Sequence, residues 1–79
     1  MLGKPDCHLC HEMADVVRRV IGPEVTLVEA DVRSNPEWMR QYRYEIPILL
    51  CDGNEIARHR IDEADLRAKL ASAGWATRT

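Results

Sequence analysis

Residues 4–11 read Lys4-Pro5-Asp6-Cys7-His8-Leu9-Cys10-His11. Two cysteines separated by two residues bring their sulfurs within reach of one small ring. Such a pair can close as a disulfide, open as a dithiol, or hold a metal ion. The stretch stands at the start of a helical pattern. That puts the first sulfur where unpaired backbone N–H groups and the positive end of the helix dipole favour a thiolate. A free cysteine, with a pKa of about 8.5, is little ionised at neutral pH, so this placement matters to any nucleophilic use of Cys7.

The same residues fit other chemistries. Cys-x-x-Cys-His is the spacing of c-type haem attachment, with Met13 or Met39 as conceivable distal ligands, but that chemistry requires export. Zinc is the stronger alternative: Cys7 and Cys10 with His11, Cys51 or His59. A structural zinc site normally shows two knuckle-spaced ligand pairs, and the second pair is missing. Cys51 reads as a small apolar residue at a strand end.

The elements that must position the dithiol follow in order. Residues 7–21 carry an apolar stripe of Leu9, Met13, Val16, Val17, Val20 and Ile21 at three- and four-residue steps, which predicts a helix. Asp6 is its expected N-cap, Arg18 and Arg19 suit its C-terminal end, and Gly22-Pro23 stops it. Residues 25–32 are rich in β-branched side chains and predict a strand covered on both faces. Ser34-Asn35-Pro36-Glu37 opens a short helix over 36–42. Residues 46–51 form a second apolar strand, Asp52-Gly53-Asn54 a turn, and 55–59 the returning strand of a hairpin. Pro47 fits a strand only near its start or on an edge. Asp62 caps a last helix, with Asp65 at its third position, Ile61 and Leu66 at staple spacing, and Gly74 as the stop. Helix-linked strands followed by a hairpin imply an α/β fold with a mixed sheet.

Seventy-nine residues, 46% hydrophobic and 30% charged, are the size and balance of one small globular domain, residues 1–79. A net charge of −2 leaves no electrostatic footprint for nucleic acid or an anionic membrane. No apolar run approaches the ~20 residues that span a bilayer. Three cysteines and no evident leader fit a reducing cytoplasmic setting rather than a secreted disulfide scaffold.

Two motifs carry a resemblance. Lys4-Pro5-Asp6-Cys7-His8-Leu9-Cys10 and Tyr42-Arg43-Tyr44-Glu45-Ile46-Pro47-Ile48-Leu49, with the turn Asp52-Gly53-Asn54-Glu55 behind the second, resemble a small glutaredoxin-like member of the thioredoxin superfamily. The likeness spans nearly the whole chain. It implies a thioredoxin-like sheet in the order strand, helix, strand, helix, strand, strand, helix, with a cis peptide bond before Pro47. It implies that Cys7 is the nucleophile and Cys10 the resolving thiol, and that Lys4 lies near the thiolate. Two departures stand out. Such proteins carry a Gly-Gly pair and an acid after the hairpin; here the stretch is Arg58-His59-Arg60-Ile61-Asp62, so only Asp62 matches. Their first strand should occupy the residues before Lys4, where only Met1-Leu2-Gly3 stand: either the start lies upstream or the first strand is very short, and low stability is expected of the chain as given.

The expected activity is that of a thiol–disulfide oxidoreductase acting on protein or mixed glutathione disulfides. Cys7 and Cys10 are its catalytic residues. Lys4, Ile46, Pro47 and Asp62 bind substrate, the Ile46 backbone pairing with an extended segment. No tightly bound cofactor is expected; glutathione or a reductase would reset the pair. The alternative is a zinc-binding or redox-regulated interaction module built on Cys7 and Cys10. Trp38, Tyr42, Tyr44 and Trp75 are expected to pack inside, because so small a domain needs its aromatics there.

Overall fold

The structure, a computed structural model, describes residues 1–74. Strand β1 (Leu2–Gly3) leads into helix α1 (His8–Val20). Strand β2 (Ala30–Asp31), a 3₁₀ turn (Val32–Ser34) and helix α2 (Pro36–Tyr42) follow. The hairpin of β3 (Ile48–Cys51) and β4 (Asn54–Arg58) then runs into helix α3 (Glu63–Ser72). The strands form one sheet in the order β2-β1-β3-β4, with β1 parallel to β2 and antiparallel to β3, and β3 antiparallel to β4. A mixed four-stranded sheet with three helices and a very short first strand is the thioredoxin-like α/β arrangement.

The apolar stripe of α1 does what its spacing predicts. Met13, Val17 and Val20 form one core with Leu49 of β3, Ala57 of β4, and Leu66 and Leu70 of α3, and Ile61 packs against it. Helices α1 and α3 are thus joined through one apolar layer to the hairpin. Met13 and Leu66 are essentially inaccessible, and truncating Leu66 to alanine should cost about 2–5 kcal/mol. The hairpin turns on Asp52 (φ 51°) and Gly53 (φ 82°), the two left-handed positions a tight two-residue turn requires. Its register slips between Leu49 and Leu50, so that Leu49 faces Ala57 and Leu50 faces Glu55. Asn35 caps α2, its side chain accepting from Glu37 N–H at 2.8 Å; Asp62 caps α3, accepting from Asp65 N–H at 2.8 Å. Gly74 takes φ 84° just beyond α3.

Three expectations need correction. The N-cap of α1 is Cys7, not Asp6. Cys7 N–H bonds Lys4 O at 3.2 Å and closes a turn over Pro5 and Asp6, which leaves Asp6 one residue too early to cap. The strand over 25–32 shrinks to Ala30–Asp31, and Val28 is 67% exposed instead of covered. A strand exists only where a neighbour pairs with it. Met1 adds one rung through its amino group to Val28 O (2.7 Å) and its carbonyl to Ala30 N–H (2.9 Å), and there the ladder ends. The aromatics are not core residues: α2 buries none of its side chains fully, Trp38 and Tyr42 are half-buried, and Tyr44 is 80% exposed with the Arg43 guanidinium stacked on its ring. Helix α2 packs chiefly on the Val32–Ser34 turn, so its aromatics face a thin neighbour instead of the main core. Trp75 lies outside the described residues. Among those described, no helix is long and apolar enough to cross a membrane.

Candidate dithiol site

Cys7 and Cys10 are joined as a disulfide, their Cα atoms 5.2 Å apart. The turn at Pro5-Asp6 delivers Cys7 in extended conformation (φ −101°, ψ 109°), and the helix begins with the next residue. Cys10 N–H, one of the helix's unpaired donors, points at Cys7 Sγ at 3.2 Å. A sulfur in the capping position receives the donor that a serine or aspartate oxygen would otherwise take, and that favours negative charge on it. The two sulfurs differ in access: Cys7 is half-buried, whereas Cys10 is 3% exposed.

Cys10 is buried against β1. A Cβ placed on Gly3 would stand 2.8 Å from Cys10 Sγ, so the strand passes directly behind that sulfur. In the antiparallel register Leu2 faces Ile48, which sets Gly3 opposite Pro47. The end of β1, the dithiol that follows it and the start of β3 therefore share one end of the sheet. The Ile46–Pro47 peptide bond is cis, as the resemblance implies. Pro47 is buried and Ile46 half-buried.

Residues outside the expected set brace this end. The His11 ring donates from Nε2 to Pro5 O at 2.7 Å, tying the turn before Cys7 to the first turns of α1. His59 N–H donates to Pro47 O at 2.9 Å, and its ring nitrogen Nε2 lies 2.7 Å from Glu45 Oε2. Arg58 reaches the same carboxylate oxygen at 3.5 Å. His59 adopts φ 68°, a left-handed conformation, in the stretch where the Gly-Gly pair is lacking. Nothing in the sequence pattern marked Gly3, Glu45, His11 or His59 for these roles. The one available signal was the lost glycine pair, in whose stretch His59 takes a left-handed backbone.

The expected substrate-binding residues do not meet in one pocket. Exposed Lys4 lines an opening of about 300 Å³ together with Cys10, His11, Glu29 and Asp31. Hydrogen bonds from Arg33 hold the Asp31 carboxyl down to about 2, so Asp31 stays ionised beside Lys4 at neutral pH. Asp62 lies on the other side of α1, in a groove of about 870 Å³ that starts at Leu9 between the two cysteines. Ile46 and Pro47 line neither.

The zinc alternative finds no third ligand in these contacts. The ring nitrogen Nε2 of His11 is turned to Pro5 and that of His59 to Glu45, and Cys51 stands at the end of β3 away from Pro47. Among the described residues no three of His, Cys, Asp or Glu are grouped to hold a metal ion. Burial, aided by Asp52, pushes the Cys51 thiol above its ordinary pKa, the environment of an inert cysteine.

The family model described as Glutaredoxin-like domain (DUF836) matches residues 1–71. The chain belongs to the glutaredoxin-like domain family. No curated protein and no solved structure matches it. Membership in the glutaredoxin-like family and the Cys7–Cys10 pair together support a redox role for this end of the sheet.

Proposed function

We propose that this protein is a thiol–disulfide oxidoreductase in which Cys7 is the nucleophile and Cys10 the resolving thiol. The observation that carries the reading is the unequal setting of the two sulfurs: Cys7 caps α1 and is partly open, while Cys10 is buried behind it. In the first step the Cys7 thiolate attacks one sulfur of a substrate disulfide. The substrate S–S bond breaks, one substrate thiolate leaves, and a Cys7–substrate disulfide forms. In the second, the Cys10 thiolate attacks Cys7 Sγ, the second substrate thiolate leaves, and the Cys7–Cys10 disulfide closes. Two electrons have passed to the substrate, and its two thiolates take up protons from solvent. A dithiol reductase or two molecules of glutathione return the pair to the reduced state, and reducing cytoplasm is the setting that keeps it there.

Lys4 supports negative charge at the dithiol from the turn ahead of Cys7. The backbone of Ile46 pairs with extended substrate, with Pro47 shaping the floor beneath it. Asp62 caps α3 and offers its remaining carboxylate oxygen to the substrate in the groove.

The test is turnover of a disulfide-bonded peptide with glutathione and its reductase as the electron supply, for wild type, Cys7→Ser and Cys10→Ser. Wild-type turnover that disappears in Cys7→Ser supports the reading, and reduced Cys10→Ser mixed with the peptide in the absence of glutathione should stop at a trapped mixed disulfide. Undiminished turnover in Cys7→Ser contradicts it.

A further inference from the structure

The groove between α1 and the connection from β4 to α3 has a two-part character. Leu9, Met13, Val16 and Ile61 give it an apolar floor. Five carboxylates line it: Glu12 and Asp15 from α1, and Asp62, Glu63 and Asp65 from the start of α3. Only two guanidiniums, those of Arg19 and Arg60, line it with them, a balance of three negative charges when His59 is neutral. Arg19 is already engaged by Glu63 from across the groove, and His59 by Glu45.

We propose that this groove receives the polypeptide flanking the disulfide of a protein substrate, a segment that carries lysine or arginine among apolar side chains. The inference rests on the oxidoreductase reading and names its substrate class. Charge complementarity decides the occupant. The methylene stem of a lysine or arginine covers the apolar floor while its head reaches the carboxylate rim. Glutathione, with two carboxylates and one ammonium, carries a net charge of the rim's own sign. Leu9, two residues beyond Cys7, lines the groove, so a segment seated there lies along the helix that Cys7 caps. Because the rim is solvated, the preference acts mainly on association and weakens with salt.

The experiment compares two disulfide-bonded peptides with the same apolar residues, one flanked by lysines and the other by glutamates. Pre-reduced protein supplies the two electrons in a single turnover at low and high salt. The lysine peptide should react about tenfold faster at low salt, with the gap closing at high salt. Glu12→Lys/Asp15→Lys/Asp65→Lys should reverse the order of the two peptides, a readout that any common change in Cys7 reactivity leaves untouched. Equal rates, or a faster glutamate peptide, overturn the proposal. If neither peptide is reduced, the oxidoreductase reading fails, and labelled peptides with serine in place of cysteine then judge the groove alone. Tighter binding of the lysine peptide sustains it, and equal binding overturns it.

Discussion

The sulfur of Cys10 lies against the backbone of Gly3, so close that a Cβ there would stand 2.8 Å from Sγ and 3.1 Å from Cys10 Cβ. Both residues are buried, and neither has room to retreat without moving β1 or the first turn of α1. Gly3→Ala should therefore destabilise the oxidised protein by about 1–3 kcal/mol, the usual cost of overpacking. It should also slow closure of the Cys7–Cys10 disulfide. Denaturant unfolding and thiol-quench kinetics measure the two effects. A variant with wild-type midpoint and closure rate would show that the strand does not back Cys10.

His59 holds φ 68° while its ring faces Glu45. The contact is partly solvated and worth about 0.2–1 kcal/mol. The left-handed backbone costs a residue with a Cβ about 1 kcal/mol more than glycine. His59→Ala loses the pair and keeps the strain, whereas His59→Gly loses the pair and relieves it. The glycine variant should be the more stable of the two by about 1 kcal/mol in chemical denaturation. The opposite order would mean that the backbone at 59 relaxes out of the left-handed region on substitution.

The Met1 ammonium is half-buried at the point where the β1 ladder ends, and burial lowers its pKa below the ordinary 8.0 against the opposing pull of Glu29. The unfolded chain then binds more protons than the folded one between the lowered value and about 8, so stability should rise with pH across that interval and level off above it. Continuing the two registers, three residues ahead of Met1 would face residues 26–28 on one side and 50–52 on the other. A slot of about 250 Å³ lined by Val25, Leu27, Leu50 and Cys51 occupies that place. Appending three apolar, β-favouring residues should flatten the pH slope and raise the thermal midpoint, by about 4–8 °C for each kcal/mol gained. An unchanged midpoint would show that the slot does not accept a strand.

What the sequence disclosed follows from how local each feature is. The stripe of α1, the bounds of α2, the Asp52-Gly53 turn and the Asp62 cap depend on residues within a few positions of one another, and all were legible. The extent of β2 depends on how many residues its neighbour β1 can offer, which β-branched content at 25–28 does not report. The placing of Tyr44 and Trp38 depends on what α2 packs against. At the site, the cysteine pair and Pro47 were visible as a motif. Gly3, His11, Glu45 and His59 act through partners distant in sequence or through backbone conformation, and no periodicity marks such roles.

The central proposal is that Cys7, partly open at the N-cap of α1, is the nucleophile. The direct measurement is the rate of alkylation of each cysteine in the reduced protein against pH, followed by mass spectrometry. Cys7 should react first, with a midpoint below the ~8.5 of a free thiol, and Cys10 much more slowly. Equal rates at the two sulfurs, or a Cys7 midpoint at or above that of a free thiol, would contradict it.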